Sequence, residues 1–211
     1  MSVEAVSASV AVHRALPPEE AARADFYALL ARLFHAAPDA PLLASLGTAG
    51  PIPPGGDAAL AKAWDDLIRA SSVMDADAAR EEYEALFEGM GKSQVSVFAG
   101  YYAGAPSIDH PRVRIQADLA ALGLGRPDSV VEPEDHFAGL FDVMRVLVSG
   151  GAGRSPATVS EQKRFFEAHL EPALAKFFAA VCSAPGANYY RPVAAVGAAF
   201  TALETESFSL E

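Results

Sequence analysis

The sequence predicts an all-α fold, a single-domain helical bundle of about eight to ten helices. Three observations point there. Apolar residues recur three and four positions apart in one stretch after another, the period of a helix buried on one side. No run of alternating apolar and polar residues builds a strand ladder, and no internal repeat of fixed length occurs. Capping residues stand before the apolar stretches, and glycine or proline stands after them.

The elements follow in order. Residues 1–16 carry Glu4 where a secretory leader would be positive, and read as a mobile tail on a cytoplasmic protein. The helical domain is expected over 17–206. Pro17 and Pro18 followed by Glu19 and Glu20 suit a helix start, with Phe26, Leu29, Leu30, Leu33 and Phe34 on one stripe and an end near Pro38. A short helix is expected over Leu42–Leu46, and a proline-rich loop from Gly47 to Gly56. Asp57 caps a helix through Trp64, Leu67 and Ile68. Another starts at Asp75 or Asp77, carries Tyr83, Leu86 and Phe87, and stops at Gly89.

Residues 89–106 are glycine-punctuated, aromatic and aperiodic, and read as an extended connector. Helical signals resume over Asp109–Leu122. A further helix is expected from Pro133 to Val148, with Phe137, Leu140, Phe141, Met144, Leu147 and Val148 on one face. Residues 150–157 have the composition of a flexible linker, one that would permit exchange of C-terminal helices between two protomers. Thr158 or Ser160 then caps a helix through Phe166, Leu170, Leu174, Phe177, Phe178 and Val181, bent at Pro172. The last helix is expected over Asn188–Glu206, before an acidic tail at 207–211.

The totals exclude several classes. Of 211 residues, 51% are apolar, enough for a substantial core. Acids outnumber bases 27 to 16, a net charge of −11, which speaks against nucleic acid and leaves room for a cationic partner. No apolar run approaches the roughly 18 residues of a membrane span. The single Cys182 cannot form an internal disulfide, and its setting after Phe177 and Phe178 is that of a small buried hydrophobe.

Few residues suggest chemistry. There is no nucleophile elbow, no phosphate loop and no paired-histidine zinc motif. Two Asp-His dipeptides, Asp109-His110 and Asp135-His136, would hold a metal only if two helices brought them together, which would make a metal-dependent or small-molecule enzyme the alternative reading. The acids Glu132, Glu134 and Asp135 stand where a buried helix begins. Capping explains them, since acids complement the positive end of a helix. A fork of carboxylates beside aromatics also suits an arginine-bearing apolar peptide. Both readings stay open on the residues alone.

Two stretches carry a resemblance. Tyr83-Glu84-Ala85-Leu86-Phe87, followed by Gly89, Gly91 and Lys92, resembles the aromatic-x-x-Leu-Phe motif of the TorD/DmsD/NarJ family of redox-enzyme maturation chaperones. Some fifty residues on, Glu132-Pro133-Glu134-Asp135-His136 is similar to that family's Glu-Pro-x-Asp-His motif. Phe26 to Phe34, and Gln162, Phe165, Phe166, His169 and Leu170, stand where the family carries similar helices. After Lys92 this chain reads Ser93-Gln94-Val95-Ser96-Val97-Phe98, where the family often has prolines.

The resemblance implies a non-enzymatic cytoplasmic chaperone with neither metal nor cofactor of its own. Its partner would be the twin-arginine signal peptide, or the apoprotein, of a molybdenum-cofactor oxidoreductase. The peptide-facing residues it implies are Tyr83, Leu86, Phe87, Glu132, Pro133, Asp135 and His136, with the two motifs close in space. In that scheme Asp135 and Glu132 recognise arginine, and His136 orients or closes the site. Leu86 is expected in the core, and Tyr83 or Phe87 partly exposed.

Overall fold

The computed structural model describes residues 16–88, 93–103, 111–125, 133–151 and 153–210. The expectations for residues 1–15, for the Gly89 stop and for Asp109, His110 and Glu132 lie outside them. Among the described residues there are ten α-helices and no strand, in keeping with the predicted class. They are α1 (Pro18–His35), α2 (Ala40–Gly47), α3 (Ala58–Val73), α4 (Ala76–Tyr83), α5 (Ala99–Tyr102), α6 (Pro111–Ala121), α7 (Phe137–Ser149), α8 (Val159–His169), α9 (Glu171–Ser183) and α10 (Tyr190–Ser209). None is long and apolar enough to cross a membrane.

Most helices start on the residues that chemistry favours. Asp57 accepts from the Leu60 amide at 2.7 Å, and Asp75 from the amides of Asp77 and Ala78. Thr158 and Glu161 form a reciprocal capping box. The start of α10 has no cap of its own. Glu82 of α4 supplies one from a distance, its two carboxylate oxygens accepting from the amides of Tyr189 and Tyr190 at 3.0 and 2.8 Å. A carboxylate there satisfies orphan donors and complements the helix dipole.

The central pair is α1 against α7, with α9 and α10 closing over them and α3 beyond α10. Phe34 is the hub. Its ring meets those of Phe87, Phe177 and Tyr190 at 5.9, 4.9 and 6.1 Å, and Phe137 stacks on Phe177 at 4.1 Å. Edge-on and offset rings pack densely while avoiding face-to-face repulsion. Helix α10 reaches this core at Gly197, where an added Cβ would lie 2.5 Å from the Phe178 ring. Only glycine allows so close a crossing.

Five features depart from the sequence reading. Helix α5 stands within the extended connector expected at 89–106, and α10 runs on to Ser209 and buries Phe208 where an acidic tail was expected at 207–211. The other three are helix boundaries. Helix α4 ends at Tyr83 and continues as a π-helical turn over Glu84–Glu88. The expected bent helix through Pro172 is two helices, broken at Leu170, where ψ is −58° but φ has moved to −106°. Pro172, in the first turn of α9, has no amide hydrogen to extend α8. The last departure is functional. Helix α7 begins at Phe137, not Pro133, so Pro133, Glu134 and Asp135 form a turn ahead of it.

Candidate functional site

The turn at Pro133–His136 closes with the His136 amide on the Pro133 carbonyl at 3.0 Å. His136 itself caps α7, its Nδ1 accepting from the Ala138 amide at 3.1 Å. Capping by Glu134 or Asp135 is therefore not what holds this helix start, because both are engaged elsewhere. Glu134 accepts from the Gln116 amide group at 2.8 Å. Asp135, only 3% exposed, accepts from Nε of Arg112 at 2.8 Å. Its other oxygen lies against Gly100 of α5, at 2.9 Å from where a Cβ would stand. Glycine at 100 makes room for the carboxylate.

Residues 95–99 run as a strap between the two motifs. The Val95 amide donates to the Leu86 carbonyl at 3.0 Å, and Gln94 reaches the Ala85 carbonyl at 3.0 Å. These are carbonyls at the open end of the π turn, which need partners outside it. Two residues on, the Val97 carbonyl accepts from the Phe137 amide at 2.9 Å, and the Ala99 amide donates to the Asp135 carbonyl at 2.8 Å. Phe98 and His136 thus pair as an isolated antiparallel bridge, their rings edge to face at 5.4 Å. Val95 and Val97 can be at most about 7 Å apart. The strap therefore brings the two motifs together. It is pinned from behind by Tyr102, whose hydroxyl donates to the Ser96 carbonyl at 2.9 Å and whose pKa burial pushes up to about 12.

The first motif does not present its side chains to solvent. Tyr83 is 5% exposed, Leu86 1% and Phe87 7%. Leu86 is core, as expected, but neither aromatic is partly exposed. Phe87 is enclosed by Phe34 of α1 and Tyr190 of α10, and Tyr83 packs on Phe87 and Tyr190.

A cleft of about 560 Å³ opens on the other side of the second motif, between α1 and α7. Pro133, Glu134 and His136 stand along it, whereas Asp135 faces away toward α5 and α6. One wall is Ala28, Ala31, Arg32 and His35; the other includes Gly139, Asp142, Val143 and Val146. Both sets fall at i, i+3, i+4 and i+7. Ala28, Ala31 and Gly139 leave the gap unfilled, and Val143 and Val146, with Leu119 and Leu124 from α6 and its end, make it an apolar groove. Sequence reasoning missed them because it followed the strongly apolar stripe of each helix and passed over the mixed stripe of small and polar residues beside it. The periodic spacing was the available signal.

The polar rim is mostly self-satisfied. Arg32 donates to the carbonyls of Ala36 and Ala37 beyond α1, and Arg145 pairs with Asp142 at 2.6 Å. Among the described residues no cluster of His, Cys, Asp and Glu is suited to a metal ion. Asp135 and His136 are committed to Arg112 and to the α7 cap. Cys182 is half-buried, and burial pushes its thiol pKa up, away from thiolate chemistry.

The site combines an apolar cleft, a buried carboxylate already holding a guanidinium, and a strap joining two motifs. A family model described as Nitrate reductase delta subunit matches residues 54–179, well over half of the chain and both motifs within it. The chain belongs to this family, the NarJ/TorD-like chaperones of molybdoenzyme maturation. No curated protein matches it.

Proposed function

We propose that the chain binds the twin-arginine leader peptide, or the same segment within the apoprotein, of a molybdopterin oxidoreductase in the cytoplasm before export or assembly. The observation that carries this reading is the apolar cleft beside Pro133, Glu134 and His136, with the buried Asp135 carboxylate directly behind them. The apolar stretch of the leader lies between α1 and α7, in the manner of a peptide in a helical groove. Its arginines seek Asp135 and Glu132, since a guanidinium matches a carboxylate with two parallel donors. His136 shapes the entrance through its cap on α7. Tyr83, Leu86 and Phe87 act through the strap and the end of α1 that they support.

Isothermal titration of the full chain with a synthetic leader tests this. The twin-arginine peptide binds, and the twin-lysine version binds at least about tenfold more weakly, as loss of charge-assisted bidentate bonding requires. Asp135→Asn removes most of that difference. Failure of every leader to bind, or equal binding of the two versions, overturns the reading.

A further inference from the structure

A buried carboxylate is costly unless it is paired and hydrogen-bonded. Asp135 meets that demand only in part. Nε of Arg112 reaches Oδ1, while Oδ2 receives no hydrogen bond among the described residues. The Arg112 guanidinium also lies over the Phe98 ring, 6.0 Å from its centroid. A carboxylate below and an aromatic face beside it make a seat for arginine. The occupant uses it incompletely, through one nitrogen, with its side chain still 42% exposed.

The helix that delivers Arg112 is lightly built into the fold. The described apolar residues that α6 and its end bury fully are Ile115 and Leu122, and its main helical neighbour is α8. Leu119 and Leu124 pack against the core only partly buried, and the remaining attachment is polar: Arg112 to Asp135, Gln116 to Glu134, Asp118 to His169, and Arg154 to the Leu122 carbonyl. Two of these four contacts end on the second motif itself. The half-exposed Arg112 side chain can give way at little net cost to a competing donor that pairs the buried Asp135 carboxylate in its place, though not to its simple loss.

We infer that Arg112 is a built-in stand-in for the client's arginine, occupying Asp135 until the incoming peptide displaces it. This rests on the leader-binding reading and adds a regulation to it. A peptide arginine has both Oδ1 and Oδ2 to engage and can form the two parallel bonds that Arg112 does not. Exchange frees the Arg112 end of α6 and sets a threshold, so that weakly basic or single-contact peptides fail to open the seat. The apparent dissociation constant then exceeds the intrinsic one by the inverse of the open fraction, about tenfold for a seat occupied about nine-tenths of the time.

The test is a fluorescence anisotropy titration of the full chain with twin-arginine and twin-lysine leader peptides. Arg112→Gln binds the twin-arginine peptide about tenfold tighter than the unaltered chain does, and the twin-lysine peptide with little change. The gain disappears in the Arg112→Gln, Asp135→Asn double variant. Amide hydrogen exchange over 111–121 of the unaltered chain rises when the twin-arginine peptide saturates it, a readout that needs no variant to fold. Unchanged or weaker binding by Arg112→Gln, or unchanged exchange in α6, overturns the stand-in role. With the unaltered chain still preferring arginine over lysine, that result leaves the leader-binding reading in place. Loss of the arginine preference in the unaltered chain and in every variant removes both.

Discussion

The Tyr83 hydroxyl donates to the carbonyl oxygen of His35 at 2.8 Å, with the Phe34 carbonyl at 3.2 Å. The last carbonyls of a helix lack intrahelical partners, and this phenol serves two of them at the end of α1. Because His35 lines the cleft, the first motif meets the cleft through the backbone of α1 rather than through an exposed ring.

Tyr83→Phe keeps the ring and removes that hydroxyl. The expected loss of stability is about 1 kcal/mol, the ordinary net worth of a buried hydrogen bond. Urea unfolding measures it. Leader affinity should fall only a few-fold, since the cleft wall loosens without losing a contact residue. A loss of binding with no loss of stability would mean that Tyr83 touches the peptide directly.

Glu204 of α10 holds Arg23 of α1 in a two-pronged pair, both bonds at 2.7 Å, and accepts from the Tyr27 hydroxyl at 2.8 Å. Burial disfavours the Arg23 cation, but the Glu204 and Glu20 carboxylates outweigh it and raise its pKa; burial and Glu204 together raise that of Tyr27. Glu204→Ala leaves the guanidinium with Glu20 alone and the buried Tyr27 hydroxyl without its acceptor, and should cost about 2 kcal/mol, less than stranding a buried charge outright. The double variant Arg23→Met, Glu204→Leu should recover much of the loss in thermal unfolding. An additive double variant would show that the pair contributes little as a pair.

His169 of α8 bonds Asp118 of α6 through Nε2 at 2.7 Å. Burial lowers its pKa below the usual 6.5, and the neighbouring Asp118 only partly opposes this. The folded chain therefore binds fewer protons here than the unfolded chain. Its contribution to stability is complete above pH 6.5 and is lost as pH falls through the lowered value. Denaturation midpoints measured between pH 7.5 and 5 should decline, and His169→Gln should flatten part of that slope. A midpoint that rises on acidification would mean that the Asp118 pairing outweighs burial.

Much of the architecture was legible because its causes are local. Asp57, Asp75 and Thr158 cap helices within three residues of themselves, and the stripe from Phe137 to Val148 needs only a 3.6-residue period. The break at Leu170 was foreshadowed by Pro172, though a bend and a break look alike in sequence. The π turn after Tyr83 was not legible, since its carbonyls are satisfied by Gln94 and Val95 from beyond the next turn of chain. Nor was the cap on α7. Three acids precede His136, and only the presence of Arg112 and Gln116 on α6 explains why two of them are drawn away.

By itself, the sequence determined the helical class, most helix starts and the two stretches that belong together, because periodicity, capping chemistry and motif order are properties of neighbouring residues. Tertiary structure alone decided which side chains those stretches expose. The rings of Tyr83 and Phe87 are buried because α1 and α10 close over them, Asp135 faces α6 because an arginine twenty-three residues earlier in the chain meets it there, and the cleft exists because Ala28 and Ala31 of α1 and Gly139 of α7 line it with little side chain. Exposure is a property of what packs against a residue, and packing partners are set by the whole chain.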